Sequence, residues 1–174
     1  VSFVDDKLGE LRSMLDHFGL TENTIILFIS DHGDMLGRRG MVQKRAFYEH
    51  SSRIPVIAYM PEAYRRGAPG TRVPEPVSIV DVAPTILDLA GVREWQPMDG
   101  RSLVPLMNGN REPDRAVFCE NYSEGIDRVC LMVRQGPYKY TYFHQSDERQ
   151  LFNVKEDPEE WNNLAEDPGY TEVC

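Results

Sequence analysis

The sequence predicts an α/β domain that carries part of a mostly parallel sheet sandwiched by helices, with a small antiparallel sheet appended at its C-terminal end. Three observations lead there. A helical apolar stripe is followed at once by a short, almost wholly apolar run at 24–29. A second apolar run comes at 54–60, after a long polar stretch. Beyond Gly91 the texture changes to short β-prone segments divided by turn residues. Helix followed by buried strand marks a layered α/β structure, and runs without alternation suit strands covered on both faces, as in parallel sheets.

Each element has its own reason. Val4, Leu8, Leu11, Leu15 and Phe18 recur at helical spacing and Gly19 follows as a stop, so the expected helix covers 2–18. The β-branched run at 24–29 is the first strand. Residues 31–53 are polar and glycine-bearing and read as a long loop with a helical turn, a kind of loop that in compact domains usually carries function. The run at 54–60 is the second strand, and the proline-rich stretch 61–76 is an irregular excursion. A short strand is expected at 77–80. Asp81 then caps a helix over 82–90, with Pro84 in its first turn and Gly91 past its end. Strands are expected at 116–120, 129–135 and 138–143, with Gly136-Pro137 turning between the last two. The expected organisation is 1–110 as the α/β part and 111–174 as the small antiparallel subdomain.

Composition bounds the function. The chain has 174 residues, 41% of them hydrophobic and 27% charged, which suits a globular domain with a real core. Its formal net charge of -9 argues against a nucleic-acid partner, and also against attraction to an anionic membrane surface. The longest apolar stretch, 25–29, falls far short of the ~18 residues of a spanning helix. Three cysteines, Cys119, Cys130 and Cys174, form neither a disulfide framework nor a zinc-finger spacing. Cys119 and Cys130 read as small buried hydrophobes. The sparse, odd count fits a reducing compartment, so a cytoplasmic location is the expectation. The periplasm stays open because the chain opens on Val1 rather than methionine. A homo-oligomer is kept open as a partner arrangement.

The residues that carry chemistry begin at Asp31-His32-Gly33-Asp34, directly after the first strand. Ligands of open α/β sheets bind beyond the carboxyl ends of strands. A hard carboxylate oxygen and an imidazole nitrogen placed there suit a divalent metal. An adjacent pair is too few ligands by itself, and a polar loop start with Asp31 capping a turn is the alternative. Glu49 and Arg53 read as an ion pair fixing the loop. His50 reads either as a substrate contact or as a solvated loop histidine. His17 suits the C-terminal end of the first helix, and His144 a surface position. Tyr138, Tyr140 and Tyr142 share one sheet face, which serves packing or offers cation–π contacts to a quaternary ammonium group.

The order of motifs resembles the sulfatase family of the alkaline-phosphatase superfamily, C-terminal part. Its elements here are Asp31-His32-Gly33, Lys44 twelve residues after His32, Tyr48-Glu49, and Arg53-Ile54-Pro55. They continue with Asp81-Val82-Ala83-Pro84-Thr85, Pro137-Tyr138-Lys139-Tyr140, Leu151-Phe152-Asn153, Asp157-Pro158-Glu159-Glu160 and Asn163-Leu164. The Asp-His form with Met35-Leu36-Gly37 is most similar to choline-sulfatase-like enzymes, and Asp34 favours that branch over phosphonate monoester hydrolases.

The resemblance implies a sulfuric ester hydrolase. Its nucleophile is a formylglycine made from the Cys or Ser of a Cys/Ser-x-Pro/Ala-x-Arg motif, and it uses a divalent metal, Ca²⁺ first, with Mg²⁺ or Mn²⁺ open. It implies Asp31 and His32 as metal ligands, Lys44 on a sulfate oxygen as a catalytic and substrate-binding cation, and a small-molecule sulfate ester as substrate. No cysteine or serine here stands in the nucleophile motif: Cys119 precedes Glu120-Asn121-Tyr122 and Cys130 precedes Leu131-Met132-Val133. The expectation is therefore a fragment that is incomplete and inactive alone, with the formylglycine in an N-terminal half. A phosphonate or phosphate monoester hydrolase and a noncatalytic binding module are the competing readings.

Overall fold

A computed structural model describes residues 2–93, 96–122 and 128–174. The chain forms two compact units, Val1–Ile29 with Pro55–Thr71, and Ser30–Ile54 with Arg72–Cys174.

In the first unit, helix α1 covers Ser2–His17, as the apolar spacing predicts. It ends where the Leu20 amide turns back to the Leu15 carbonyl (2.8 Å), the closing bond of a Schellman-type stop at Gly19. Val4, Leu11 and Phe18 of its apolar stripe are exposed. Strands β1 (Ile26–Ile29) and β2 (Val56–Tyr59) pair antiparallel, with Ile26 opposite Tyr59 and Ile29 opposite Val56. The α/β class is as predicted, but the parallel pairing suggested by these runs is not how the two strands meet. Nor are both faces covered, since β2 is exposed along its length. Apolarity announces a strand without stating the direction of its neighbour, and that accounts for the difference.

The second unit is built on a meander of four antiparallel strands, β3 (Ala116–Asn121), β4 (Cys130–Gln135), β5 (Tyr138–Phe143) and β6 (Arg149–Asn153), in that order. Three were predicted. The fourth was hidden because Arg149-Gln150-Leu151-Phe152-Asn153 has no strong alternation and becomes a strand by pairing with β5. In β5, Lys139 and Thr141 are buried while Tyr138, Tyr140 and Tyr142 are half-buried on the opposite face. Short helices α2 (Glu49–Ser52), α3 (Val82–Leu89) and α4 (Val104–Met107) complete the unit.

The strand expected at 77–80 is instead a 3-10 turn, Ile79–Asp81, running into α3. Asp81 causes this. Its buried carboxylate accepts the Ser78 amide (2.8 Å) and the Arg101 amide (2.9 Å), and it pairs with the buried Arg115 guanidinium (2.8 Å). Those local bonds satisfy backbone donors that a strand ladder would have taken. Arg115 also bonds Glu112 (2.9 Å) and the Pro76 carbonyl (3.0 Å). Thr85 donates its hydroxyl to the Asp81 carbonyl (2.6 Å) and accepts the Leu103 amide (2.9 Å), which seats α4 against α3. Gly100 packs so close to the Val80 carbonyl that no Cβ fits there. The Asp81–Thr85 motif is thus a scaffold joint.

Asp81→Ala should leave the Arg115 charge buried without its main partner and cost about 3–5 kcal/mol. Urea denaturation checks this, and a loss below about 1 kcal/mol would contradict it. A pH effect is expected at Glu75. The hydrogen bond from Arg111, foremost, holds its buried carboxyl below the ordinary glutamate range. A carboxyl lowered in the folded state contributes stability above its unfolded pKa and loses it as pH falls through the folded value. Stability followed from neutral to acid pH should therefore fall less in Glu75→Gln than in the parent sequence. Equal acid slopes would show that this pair does not couple to folding.

Candidate active site

The loop that follows β1 in sequence is folded back on itself. The Met35 amide bonds the Gln43 carbonyl (2.8 Å) and the Gly37 amide bonds the Met41 carbonyl (2.9 Å). Met35 is fully buried beneath the loop. Leu36, Arg39 and Gln43 take left-handed backbone conformations to make the reversals, a cost accepted only where surrounding contacts hold it. Lys44 lies just past these reversals, twelve residues after His32 in sequence, and its charge acts weakly on the Asp31 carboxyl. Lys44 is exposed.

Asp31 and His32 converge. Asp31 Oδ2 lies 3.3 Å from His32 Nε2, and Asp31 Oδ1 accepts the His32 amide (3.0 Å). His32 Nδ1 lies 2.6 Å from the Gly33 carbonyl. A carbonyl only accepts, so Nδ1 carries the proton and Nε2 presents its lone pair in the neutral ring. The Asp31 carboxyl is held below the ordinary aspartate range. The cause is first the backbone bond from His32, with the positive charge of Lys44 contributing more weakly.

Two electron-rich donors facing each other at this distance need a positive centre, either a proton or a metal ion. Donors on adjacent positions around a divalent ion, with bonds of about 2.0–2.4 Å, stand roughly 3 Å apart. Asp31 and His32 therefore fit a divalent metal as part of its ligand set. Among the described residues, no group of three His, Cys, Asp or Glu side chains is placed to hold an ion.

Gly33 ties this pair to the rest of the unit. Its amide donates to the Ser51 carbonyl (2.8 Å), and its Cα lies against the His50 carbonyl so closely that a Cβ would overlap it. Helix α2 is thus the floor on which Asp31-His32-Gly33 rests. The His50 side chain serves elsewhere, with Nε2 3.7 Å from Glu159 Oε2. That Glu159 oxygen also meets Arg38 (3.3 Å).

The expected Glu49–Arg53 pair exists but is long at 3.9 Å. The stronger partner of Glu49 is Lys139 at 2.9 Å. Lys139 is 1% exposed, donates to the Phe47 carbonyl (2.6 Å), and also contacts the fully buried Glu160. Burial, the leading effect, pushes the Glu160 carboxyl up, while the Lys139 charge opposes it. The Arg39 guanidinium lies over the Tyr48 and Trp161 rings (4.1 and 4.5 Å from their centroids) and donates to the Glu159 carbonyl (3.0 Å). Sequence reading missed Lys139, Glu160 and Arg39 as supports of this region. The available signal was alternation in β5, which puts Lys139 opposite the tyrosine face and so inside, where a lysine must be paired.

The family model described as N-sulphoglucosamine sulphohydrolase, C-terminal, matches residues 37–174, and the chain belongs to that family. It is 42% identical to a choline-sulfatase of Rhizobium meliloti (strain 1021) over 97% of this chain and 32% of that protein. It is similar in structure to BT4656, solved in complex with its substrate D-glucosamine-2-N,6-O-disulfate, with TM-score 0.82 and 29% identity over 98% of this chain and 35% of that one. The phosphonate monoester hydrolase of Agrobacterium radiobacter also aligns, with TM-score 0.82 and 29% identity over 98% of this chain and 36% of that one. The chain thus spans about a third of the length of these relatives.

Gly33→Ala should force the Asp31-His32 segment off α2. The overlap is with backbone, so it should cost about 1–3 kcal/mol as an overpacking change. Urea denaturation is the measurement, and an unchanged midpoint would mean the two segments do not bear on each other.

Proposed function

We propose that this chain supplies one side of the active site of a metal-dependent sulfuric ester hydrolase acting on a small sulfate ester. The observation that carries the reading is the convergence of Asp31 Oδ2 and His32 Nε2 at 3.3 Å, at the start of the loop that carries the exposed Lys44. Asp31 and His32 are the residues that would hold the metal, with Ca²⁺ first and Mg²⁺ or Mn²⁺ open, since oxygen-rich sites accept all three. The bound ion would supply Lewis-acid stabilisation of charge developing on the ester oxygens. The nucleophile, a formylglycine in this reading, lies outside this chain.

The chain's own residues then have distinct tasks. Asp31 presents a carboxylate whose Oδ1 is held by the His32 amide and whose Oδ2 faces His32 Nε2. His32 is kept in one tautomer by the Gly33 carbonyl, so its outward nitrogen is available as a ligand. Lys44 keeps an exposed ammonium on a loop closed by backbone bonds, ready to meet a sulfate oxygen. A cation placed at the site would stabilise charge developing on the sulfate in the transition state. His50 has its side chain engaged by Glu159 and is a weaker candidate for substrate contact.

Choline sulfate is the first substrate to try, given the 42% identical relative. A second reading, phosphonate monoester hydrolysis, is favoured by the likeness to the Agrobacterium enzyme.

The test is a turnover assay of the intact enzyme containing this chain, with choline sulfate, p-nitrophenyl sulfate and a phenyl phosphonate ester. Sulfate esters should be turned over best, Lys44→Ala should lower kcat roughly 100-fold, and Asp31→Ala should abolish the metal-dependent rate. Preference for the phosphonate would select the second reading. A wild-type enzyme inert towards all three would point to a noncatalytic binding module.

A further inference from the structure

We propose that the buried Lys139, acting with Glu160 and Glu49, is a positioning residue for His32, an inference that rests on the sulfatase reading above. The links form one continuous path. The Lys139 ammonium donates to the Phe47 carbonyl (2.6 Å) and Glu49 Oε1 (2.9 Å) and forms an ion pair with Glu160 Oε1. Glu160 Oε2 in turn accepts the Glu49 amide (2.6 Å). The first residue of α2 is therefore gripped at its amide and its side chain, and the chain just before it at the Phe47 carbonyl.

Helix α2 is too short to hold its own position, since a few residues of helix are marginal without outside contacts. The next link is the Ser51 carbonyl, which receives the Gly33 amide (2.8 Å), and the His50 carbonyl, which abuts Gly33 with no room for a side chain. The last link is the Gly33 carbonyl, which receives the Nδ1 proton of His32 (2.6 Å). Moving α2 moves Gly33, and moving Gly33 changes the acceptor that decides which imidazole nitrogen is free.

A lysine and two glutamates are a poor choice for holding a sheet to a loop by stability alone, because well-packed apolar groups commonly do as well. Directional bonds are what apolar packing lacks. They place a backbone carbonyl to within the few tenths of an ångström that ligand orientation requires. The trio lies on the side of α2 away from Asp31 and His32 in the bonding path, so it touches no reacting atom and acts only through α2 and Gly33.

The test uses the intact enzyme, labelled with ¹⁵N-histidine and freed of metal by chelation, at a pH above the imidazole range. The ring nitrogens of His32, assigned with His32→Gln, report the tautomer directly. The wild type should show one tautomer, protonated at Nδ1. In Lys139→Met/Glu160→Gln, which removes both buried charges while keeping their volume, His32 should become a mixture of tautomers. Divalent-ion affinity, measured with Ca²⁺ and Mn²⁺, should fall about 10-fold or more, as loss of a supporting contact behind a ligand does. Should the double variant fail to fold, Glu49→Gln, at a less enclosed position, is read in the same way. Leu106→Ala, a core change outside the path, serves as the control and should lower stability while leaving the tautomer single. A folded Lys139→Met/Glu160→Gln variant with a single tautomer and unchanged ion affinity would overturn the proposal, as would an equal shift in Leu106→Ala. A tautomer shift in an enzyme that turns over no sulfate ester would uphold the positioning role and remove the sulfatase reading instead.

Discussion

Lys139 is the constraint on which the second unit turns. A lysine 1% exposed cannot remain charged without close partners, and its partners come from two other stretches of chain: Phe47 with Glu49, and Glu160. Strand β5, the entry to α2 and the C-terminal turn at Asp157–Glu160 must therefore meet at one point. The Arg39 guanidinium, held over Tyr48 and Trp161, closes the same assembly from the loop side. The acidic, turn-rich C-terminal segment is thereby not an appendage: Glu159 and Glu160 are structural members of the loop region around Asp31.

A second buried pair, Asp81 with Arg115, performs a comparable task at the other helices. Asp81 spends both carboxylate oxygens on backbone amides and Arg115, which stops the preceding residues from entering a sheet and starts α3. The two networks share a logic. Each fixes a backbone turn by ion pairs and hydrogen bonds among buried charges, and each would be costly to leave half-made. Conformational precision rather than net stability is the more reasonable return for burying so much charge.

The chemistry sits on a loop with several left-handed residues, resting on helix α2 through Gly33. Strain of that kind is tolerated because Met35 is buried beneath it and backbone bonds close the loop twice. The same closure explains why Lys44 influences the Asp31 carboxyl despite its distance along the chain. In the proposed reading, Asp31 and His32 are part of a larger ligand set, and the chain covers about a third of its relatives' length.

Much of this was legible in the sequence, and for specific reasons. Helix α1 followed from an apolar repeat, α3 from Asp81, Pro84 and Gly91, and strands β3, β4 and β5 from β-prone runs between turn residues, because each of these signals is local. Asp31, His32 and Lys44 were grouped by the resemblance to the sulfatase family, and the fold sets Asp31 beside His32. What the sequence could not decide was every feature created by contact between distant stretches. The antiparallel meeting of β1 and β2, the strand character of β6 and the replacement of an expected strand by the Ile79–Asp81 turn all depend on partners chosen in three dimensions. So does the partner of Glu49: sequence proximity offered Arg53 four residues away, whereas the fold brought Lys139 closer, at 2.9 Å against 3.9 Å. Local sequence sets which backbone shapes are cheap. Burial of charge sets which distant groups must find each other, and that requirement is visible only once the inside of the molecule has been defined.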